Sequence, residues 1–122
     1  ILAERSNEQV ANDLDYFTVI TKDSRVIACA ALYPNTADAI GEIACVATHP
    51  DYRDSGHGER LVETLTEKAR ELDLAQVYVR TTQTGHWFRE LGFKPAEHDA
   101  LPHAEQAKSS RDRNSNTLIR AI

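Results

Sequence analysis

Two glycines, Gly56 and Gly58, stand at the mouth of an amphipathic helix, inside the run Arg53-Asp54-Ser55-Gly56-His57-Gly58-Glu59. Glycine lets a backbone approach a ligand closely. The first N–H groups of a helix have no partner within it, and the aligned peptide dipoles add partial positive charge there. The chemistry on offer is anion binding, with a pyrophosphate as a fitting guest. Two such glycines also simply make a turn. The spacing matches neither the three-glycine dinucleotide pattern nor the Gly-Lys-Ser/Thr nucleotide loop. Upstream, Glu42 interrupts the apolar run 40–48. A carboxylate there is either held in a structural pair or poised for chemistry, and the residues alone leave both open. Cys45 follows three residues later and projects to the opposite face from Glu42 in a regular strand, unless a bulge intervenes. Arg113 and Ser115 precede the last apolar run. An arginine there either grips a carboxylate with two parallel hydrogen bonds or, beside Arg111 and Asp112, belongs to a solvated loop. His49, His57, His86, His98 and His103 show no ligand spacing, so they read as surface residues and no metal is expected.

The elements that must position these groups follow from periodicity. Residues 6–15 read as a helix, with Ser6 as cap and Gln9 three residues on. Residues 16–21, 25–33 and 40–48 read as strands of an antiparallel meander, the second ended by Pro34-Asn35. Leu61, Leu65, Ala69 and Leu72 recur on one face of a helix over 57–72. A strand over 76–81 comes next, so strand, helix and strand form a crossover with the two strands parallel. A short helix covers about 84–91 and stops at Gly92. A strand starts at Phe93. Residues 98–115 are polar without apolar periodicity and read as a loop, and 116–122 closes the sheet.

The chain has 122 residues, enough for one domain, read as 1–122. Its 41% hydrophobic and 27% charged residues are ordinary for a globular protein. A net charge of −5 gives a nucleic-acid-binding role no electrostatic support. The apolar runs are well short of a membrane span, and no secretory signal is visible. Cys29 and Cys45 read as reduced thiols, that of Cys29 buried, in a cytoplasmic protein. The chain has no Met, so it reads as a piece of a longer polypeptide or as a chain whose start is not included.

The loop resembles the acyl-CoA-binding loop of the GCN5-related N-acetyltransferases, written Arg/Gln-x-x-Gly-x-Gly/Ala. The run Val46 to Arg53 and the corner Trp87-Phe88-Arg89-Glu90-Leu91-Gly92-Phe93 are similar to segments of the same fold. Gly41-Glu42-Ile43-Ala44-Cys45, His49-Pro50-Asp51-Tyr52-Arg53, Thr81-Thr82-Gln83-Thr84-Gly85-His86-Trp87-Phe88, Leu101-Pro102 and Arg113-Asn114-Ser115 narrow it further. Together they resemble the acetyltransferase domain of the bacterial N-acetylglutamate synthases, over nearly the whole chain. The resemblance implies an α/β (α+β) fold with a mixed, mostly antiparallel sheet, here lacking the family's first strand and first helix. It implies transfer of an acetyl group from acetyl-CoA to the α-amino group of L-glutamate. Glu42 is the implied base, its basicity raised by burial.

The cofactor side is assigned to Cys45, Val46, Arg53, Asp54, Ser55, Gly56, His57, Gly58, Glu59 and Phe88. An N–H near Val46 would hold the oxyanion. Phe88 stands where many members place a Tyr acid, which leaves Thr81, or a water it holds, as candidate acid. Arg113, Ser115 and Cys45 are assigned to the glutamate. The family also uses an Arg in its first helix. An upstream domain, amino-acid-kinase-like or argininosuccinate lyase, is implied, and a homo-oligomer is compatible. Two rivals stay open: an acetyltransferase for another amine, such as a peptide N-terminus, and a non-catalytic CoA-binding regulatory module.

Overall fold

Three β-rich runs separated by tight turns build a meander in the computed structural model, which describes residues 14–53, 56–81, 86–108 and 116–122. Strand β1 is Phe17–Lys22, β2 is Arg25–Asn35 and β3 is Ile40–Thr48, paired antiparallel in turn. Asp23 and Ser24 make the first turn, both with positive φ. Strand β2 runs past Pro34, which pairs with Gly41, rather than ending there. The β1 register reaches only Phe17 opposite Ala31. Beyond Ala31 the strand is an edge on that side among the described residues, and an edge tolerates a missing N–H.

Helix α1, His57–Glu71, buries Leu61, Val62, Leu65, Thr66 and Ala69 on one stripe. Leu72, expected in that stripe, is 46% exposed. The helix has already ended: Asp73 has φ +61, Leu74 N–H donates to Ala69 O and Asp73 N–H to Arg70 O. These are the two bonds of a Schellman cap, and they turn Leu74 into the core in place of Leu72. Strand β4, Gln76–Thr81, then lies parallel to β3. The short helix α2, His86–Glu90, ends in the same way at Gly92, and Phe93 enters the core. Strand β5 is Lys94–Ala96 and β6 is Asn116–Ala121. The sheet has six strands in the order β1-β2-β3-β4-β6-β5.

One face of the sheet packs on α1: Leu32, Ile43, Val77, Val79 and Leu118 meet Leu61, Val62 and Leu65, with Phe88 and Phe93 alongside. Each such side chain contributes about 1.5–3 kcal/mol when fully buried. The other face carries Ala31, Tyr33 and Ala44 in one cluster and Ile40, Tyr78 and Leu101 in another. Part of the segment expected to be a polar loop covers that face. It holds a 3-10 turn, His98–Ala100, and a helix α3, His103–Lys108. Leu101 and Glu105 are buried, at 2% and 1% exposure. The helix expected over residues 6–15 lies almost wholly outside the described residues; only a 3-10 turn, Leu14–Tyr16, is seen before β1.

Candidate active site

Strands β3 and β4 pair only along Ile40–Glu42 against Gln76–Tyr78. Beyond Glu42 the two strands part, so the β3 backbone from Ile43 onward has no β4 partner among the described residues. Peptide groups left this way seek another partner. The register between β2 and β3 also slips by one: Cys29 faces Ala47, whereas Ala31 faces Ala44. Residues 45 and 46 thus oppose the single residue 30, which is a bulge of the kind that re-aims a strand beside a site.

The open stretch of β3 leads to the start of α1. There Val46, Ala47, Thr48, Tyr52, Arg53, Gly56, His57, Gly58, Glu59 and Trp87 line a cavity of about 750 Å³. Gly56 is the N-cap, with φ +79 and no side-chain capping bond. A Cβ there would meet nothing within 4 Å among the described residues, so the glycine serves the left-handed backbone and not space. Gly58 differs. A Cβ on it would lie 3.0 and 3.2 Å from Trp87 Cζ2 and Cη2. The first-turn N–H groups of the fifteen-residue helix face a wall of this cavity with no capping side chain.

Six residues assigned to the cofactor therefore come together: Val46, Arg53, Gly56, His57, Gly58 and Glu59. His57, expected at the surface, is half-buried, its ring lies tilted against that of Tyr52 at 6.3 Å, and its Nδ1 is buried without a partner among the described residues. Lys22 stands 5.3 Å from the Tyr52 ring. Phe88 does not line the cavity. It is 5% exposed and packs edge-on against Phe93, while Trp87, one residue earlier, forms the wall. In a short helix adjacent positions face about 100° apart, so the two neighbouring rings point different ways. Asp54, Ser55, Arg113 and Ser115, and the side chain of Cys45, lie outside the described residues.

Glu42 is on the sheet face away from α1, 2% exposed. Its Oε2 accepts from Arg80 Nε at 2.8 Å, and Arg80 Nη2 lies 2.7 Å from the same oxygen. Of the two readings left open for this carboxylate, the structural pair is present, with the Arg80 guanidinium as its partner. Next to the pair, Tyr78 donates its hydroxyl to Glu105 Oε1 at 2.7 Å. Asn35 Nδ2 donates to Glu105 Oε2 at 3.0 Å. Burial first, then the charge of Glu42 and the bond to Glu105, pushes the Tyr78 hydroxyl far above its usual range, with Arg80 opposing. Tyr78 is thus held as a neutral donor.

Thr81 is 1% exposed at the end of β4. It alternates with Arg80, so it shares the α1 face with Val77 and Val79 and not the Glu42 face. The sequence reading missed Arg80, Tyr78 and Glu105. A signal existed for Arg80: a cation in the apolar run of β4, parallel to a strand carrying a lone carboxylate. Cys29 is only part-buried, and burial pushes its thiol up. Among the described residues no cluster of His, Cys, Asp and Glu could hold a metal. Among them also, no helix is long and apolar enough to cross a membrane.

The chain is similar to known proteins. The chain is 48% identical to the amino-acid acetyltransferase of Edwardsiella ictaluri over 119 residues, 98% of this chain and 27% of that protein. It is 49% identical over the same shares to the amino-acid acetyltransferase of Serratia proteamaculans. The chain thus spans about a quarter of the length of these curated relatives. The structure superposes with a TM-score of 0.91 on the N-acetylglutamate synthase from Neisseria gonorrhoeae complexed with coenzyme A and N-acetyl-glutamate. That likeness is at 37% identity and covers 99% of this chain and 29% of that one. Residues 13–95 match the acetyltransferase (GNAT) domain family, and the chain belongs to that family.

Proposed function

We propose that this domain transfers the acetyl group of acetyl-CoA to the α-amino group of L-glutamate, giving N-acetyl-L-glutamate and CoA, the entry step of arginine synthesis. The observation that carries the reading is the parting of β3 and β4 beside an uncapped helix start. A slot between strands suits an extended pantetheine arm, and the helix mouth suits the pyrophosphate. The amino-acid acetyltransferases and the synthase complex described above support glutamate as acceptor.

In this reading the backbone N–H groups of the α1 first turn hold the pyrophosphate, with Arg53, His57 and Trp87 around it. A β3 N–H near Val46 meets the oxyanion of the tetrahedral intermediate, a contact worth roughly 3 kcal/mol. Glu42 takes a proton from the acceptor ammonium, directly or through a water. The amine nitrogen then attacks the thioester carbonyl and the C–S bond breaks. As the tetrahedral intermediate collapses, the nitrogen loses its second proton to Thr81 or a water it holds, and that group gives a proton to the departing CoA thiolate. Arg113 and Ser115 hold a carboxylate of glutamate, and Cys45 lines the acceptor pocket. The reading places the domain at the C-terminal end of a longer cytoplasmic chain, with an amino-acid-kinase-like or argininosuccinate lyase domain upstream.

The test is release of free CoA thiol by the full-length protein with a panel of amines. Glutamate should be the preferred acceptor over other amino acids and peptide N-termini. Glu42→Gln should lower kcat by roughly 10²- to 10⁴-fold while CoA affinity holds. Faster turnover of a peptide N-terminus, or CoA binding without any turnover, would overturn the assignment.

A further inference from the structure

His49 stands at the head of a 3-10 turn, Pro50–Tyr52, and ties it down in three ways. Its N–H donates to Ile27 O of β2 at 2.7 Å, and its carbonyl accepts from Tyr52 N–H at 2.9 Å. Its ring Nδ1 accepts from Asp51 N–H at 3.1 Å, which caps the turn. Asp51 Oδ2 stands 3.8 Å from the same nitrogen. No residue of the turn is buried, so little packing holds it beside these bonds. The His49 ring lies edge-on to that of Tyr52 at 5.8 Å, and the Tyr52 ring lies against that of His57 at 6.3 Å. A row of three rings thus runs from the turn to the mouth of α1. Tyr52, Arg53 and His57 line the cavity there, and His49 does not.

We propose that His49 is a positioning residue for CoA binding: its neutral ring caps the turn that sets Tyr52 and Arg53 against the cavity, and protonation of the ring undoes that cap. The inference rests on the reading of the cavity as the CoA site. Nδ1 accepts a hydrogen bond only without a proton of its own, so the cap needs the neutral ring. A proton on Nδ1 removes the bond from Asp51 N–H and makes the ring a partner for the Asp51 carboxylate instead. Among the described residues, the charged and titratable groups around the ring are few. Asp51 favours the proton, while Lys22 of β1, 5.3 Å from the Tyr52 ring, opposes it, as does Arg53 next to Tyr52 in the chain. Tyr52 lies between His49 and His57 of α1. CoA favours the capped state, so affinity is lost as pH falls, in proportion to the molecules that give up the turn.

The experiment is calorimetry of CoA on the full-length protein, for the parent, His49→Asn and His49→Phe, at about pH 8 and about pH 5.5, which bracket the range where histidine ordinarily gains its charge. Asn is among the best caps and does not titrate. Phe keeps a ring beside Tyr52 but accepts no hydrogen bond. At the higher pH His49→Asn should bind CoA as the parent does, and His49→Phe roughly three- to tenfold more weakly. On acidification the parent should lose roughly three- to tenfold more affinity than His49→Asn. Protonation of CoA itself and of His57 is common to the three proteins and cancels in that comparison. In steady-state kinetics at the higher pH, His49→Phe should raise the KM for acetyl-CoA and leave kcat and the glutamate KM as in the parent.

Parent-like CoA affinity in His49→Phe at the higher pH overturns the proposal. So does an acid-induced loss of the same size in His49→Asn and in the parent. A residue that served only the fold would lower the melting temperature of His49→Phe and move neither readout. The His49 side chain is 48% exposed, so neither substitution disturbs the core. A parent protein that fails to bind CoA would sink the proposed function and this inference together. CoA binding and turnover that both substitutions leave untouched would sink this inference alone.

Discussion

Gly58 has two reasons to lack a side chain, and they predict different things. A ligand backbone contact needs open space at the helix mouth, and the ring of Trp87 already fills the direction a Cβ would take, at 3.0 and 3.2 Å. Gly58→Ala should therefore push the ring aside by a few tenths of an ångström, a strain of about 1–3 kcal/mol. Because Trp87 lines the cavity, the same shift should weaken CoA binding roughly tenfold by calorimetry. Trp87→Phe removes the colliding edge. If packing is the reason, Gly58→Ala should cost clearly less in the Trp87→Phe background than in the parent. An equal cost in both backgrounds would mean that ligand approach, not Trp87, demands the glycine. Gly56 stands apart from this logic, since its φ of +79 penalises any side chain while the space around it is open.

At the scale of elements, much of the chain was legible and the rest failed for identifiable reasons. Strands 40–48 and 76–81 have the bounds that their β-rich composition predicts, and the crossover is parallel as handedness and length require. Helix α1 was readable because Leu61, Leu65 and Ala69 repeat on one face; its end was misjudged at Leu72 because the cap uses Asp73, not a glycine. The bulge at residues 45 and 46 and the short β3–β4 pairing are register facts, and no single strand's pattern contains them. Helix α3 escaped notice because polar bonds anchor it. Glu105 accepts from Tyr78 and Asn35, and hydrophobic periodicity is blind to such anchors. That anchoring is testable. Tyr78→Phe removes a hydrogen bond to a charged group, worth about 1.5–3 kcal/mol. Opening of the segment 98–108 should become roughly ten- to a hundredfold more populated. Protease cleavage within 98–108, in the regime where it follows the open population, should speed up by the same factor. An unchanged cleavage rate would mean that Leu101 packing, not the Tyr78–Glu105 bond, holds α3 down.

At the scale of the whole molecule, the sheet consists of two halves joined along a short seam. Strands β1 to β3 form one half and β4, β6 and β5 the other, and three residue pairs, Ile40–Glu42 against Gln76–Tyr78, connect them. Helix α1 spans the seam, since Leu61, Val62 and Leu65 cluster with Leu32 and Ile43 of one half and with Val77 and Val79 of the other. This design leaves the backbone of β3 beyond Glu42 available to a ligand arm while the core stays closed beneath it. Amides of such a stretch lack ladder partners on one side and should exchange with solvent faster than those of β2. Binding of CoA in the parting would supply those partners. A ligand held at a hundred times its Kd also stabilises the bound fold by about 2.7 kcal/mol through linkage. Hydrogen exchange of the full-length protein should therefore slow at residues 43–48 on adding CoA, by up to roughly a hundredfold. The start of α1 at residues 57–59 should slow as well, because its free N–H groups meet the pyrophosphate. The distal strand β1 should change least. Protection confined to the start of α1, with residues 43–48 exchanging as in the free protein, would show that the helix mouth binds phosphate while the parting between the strands stays empty.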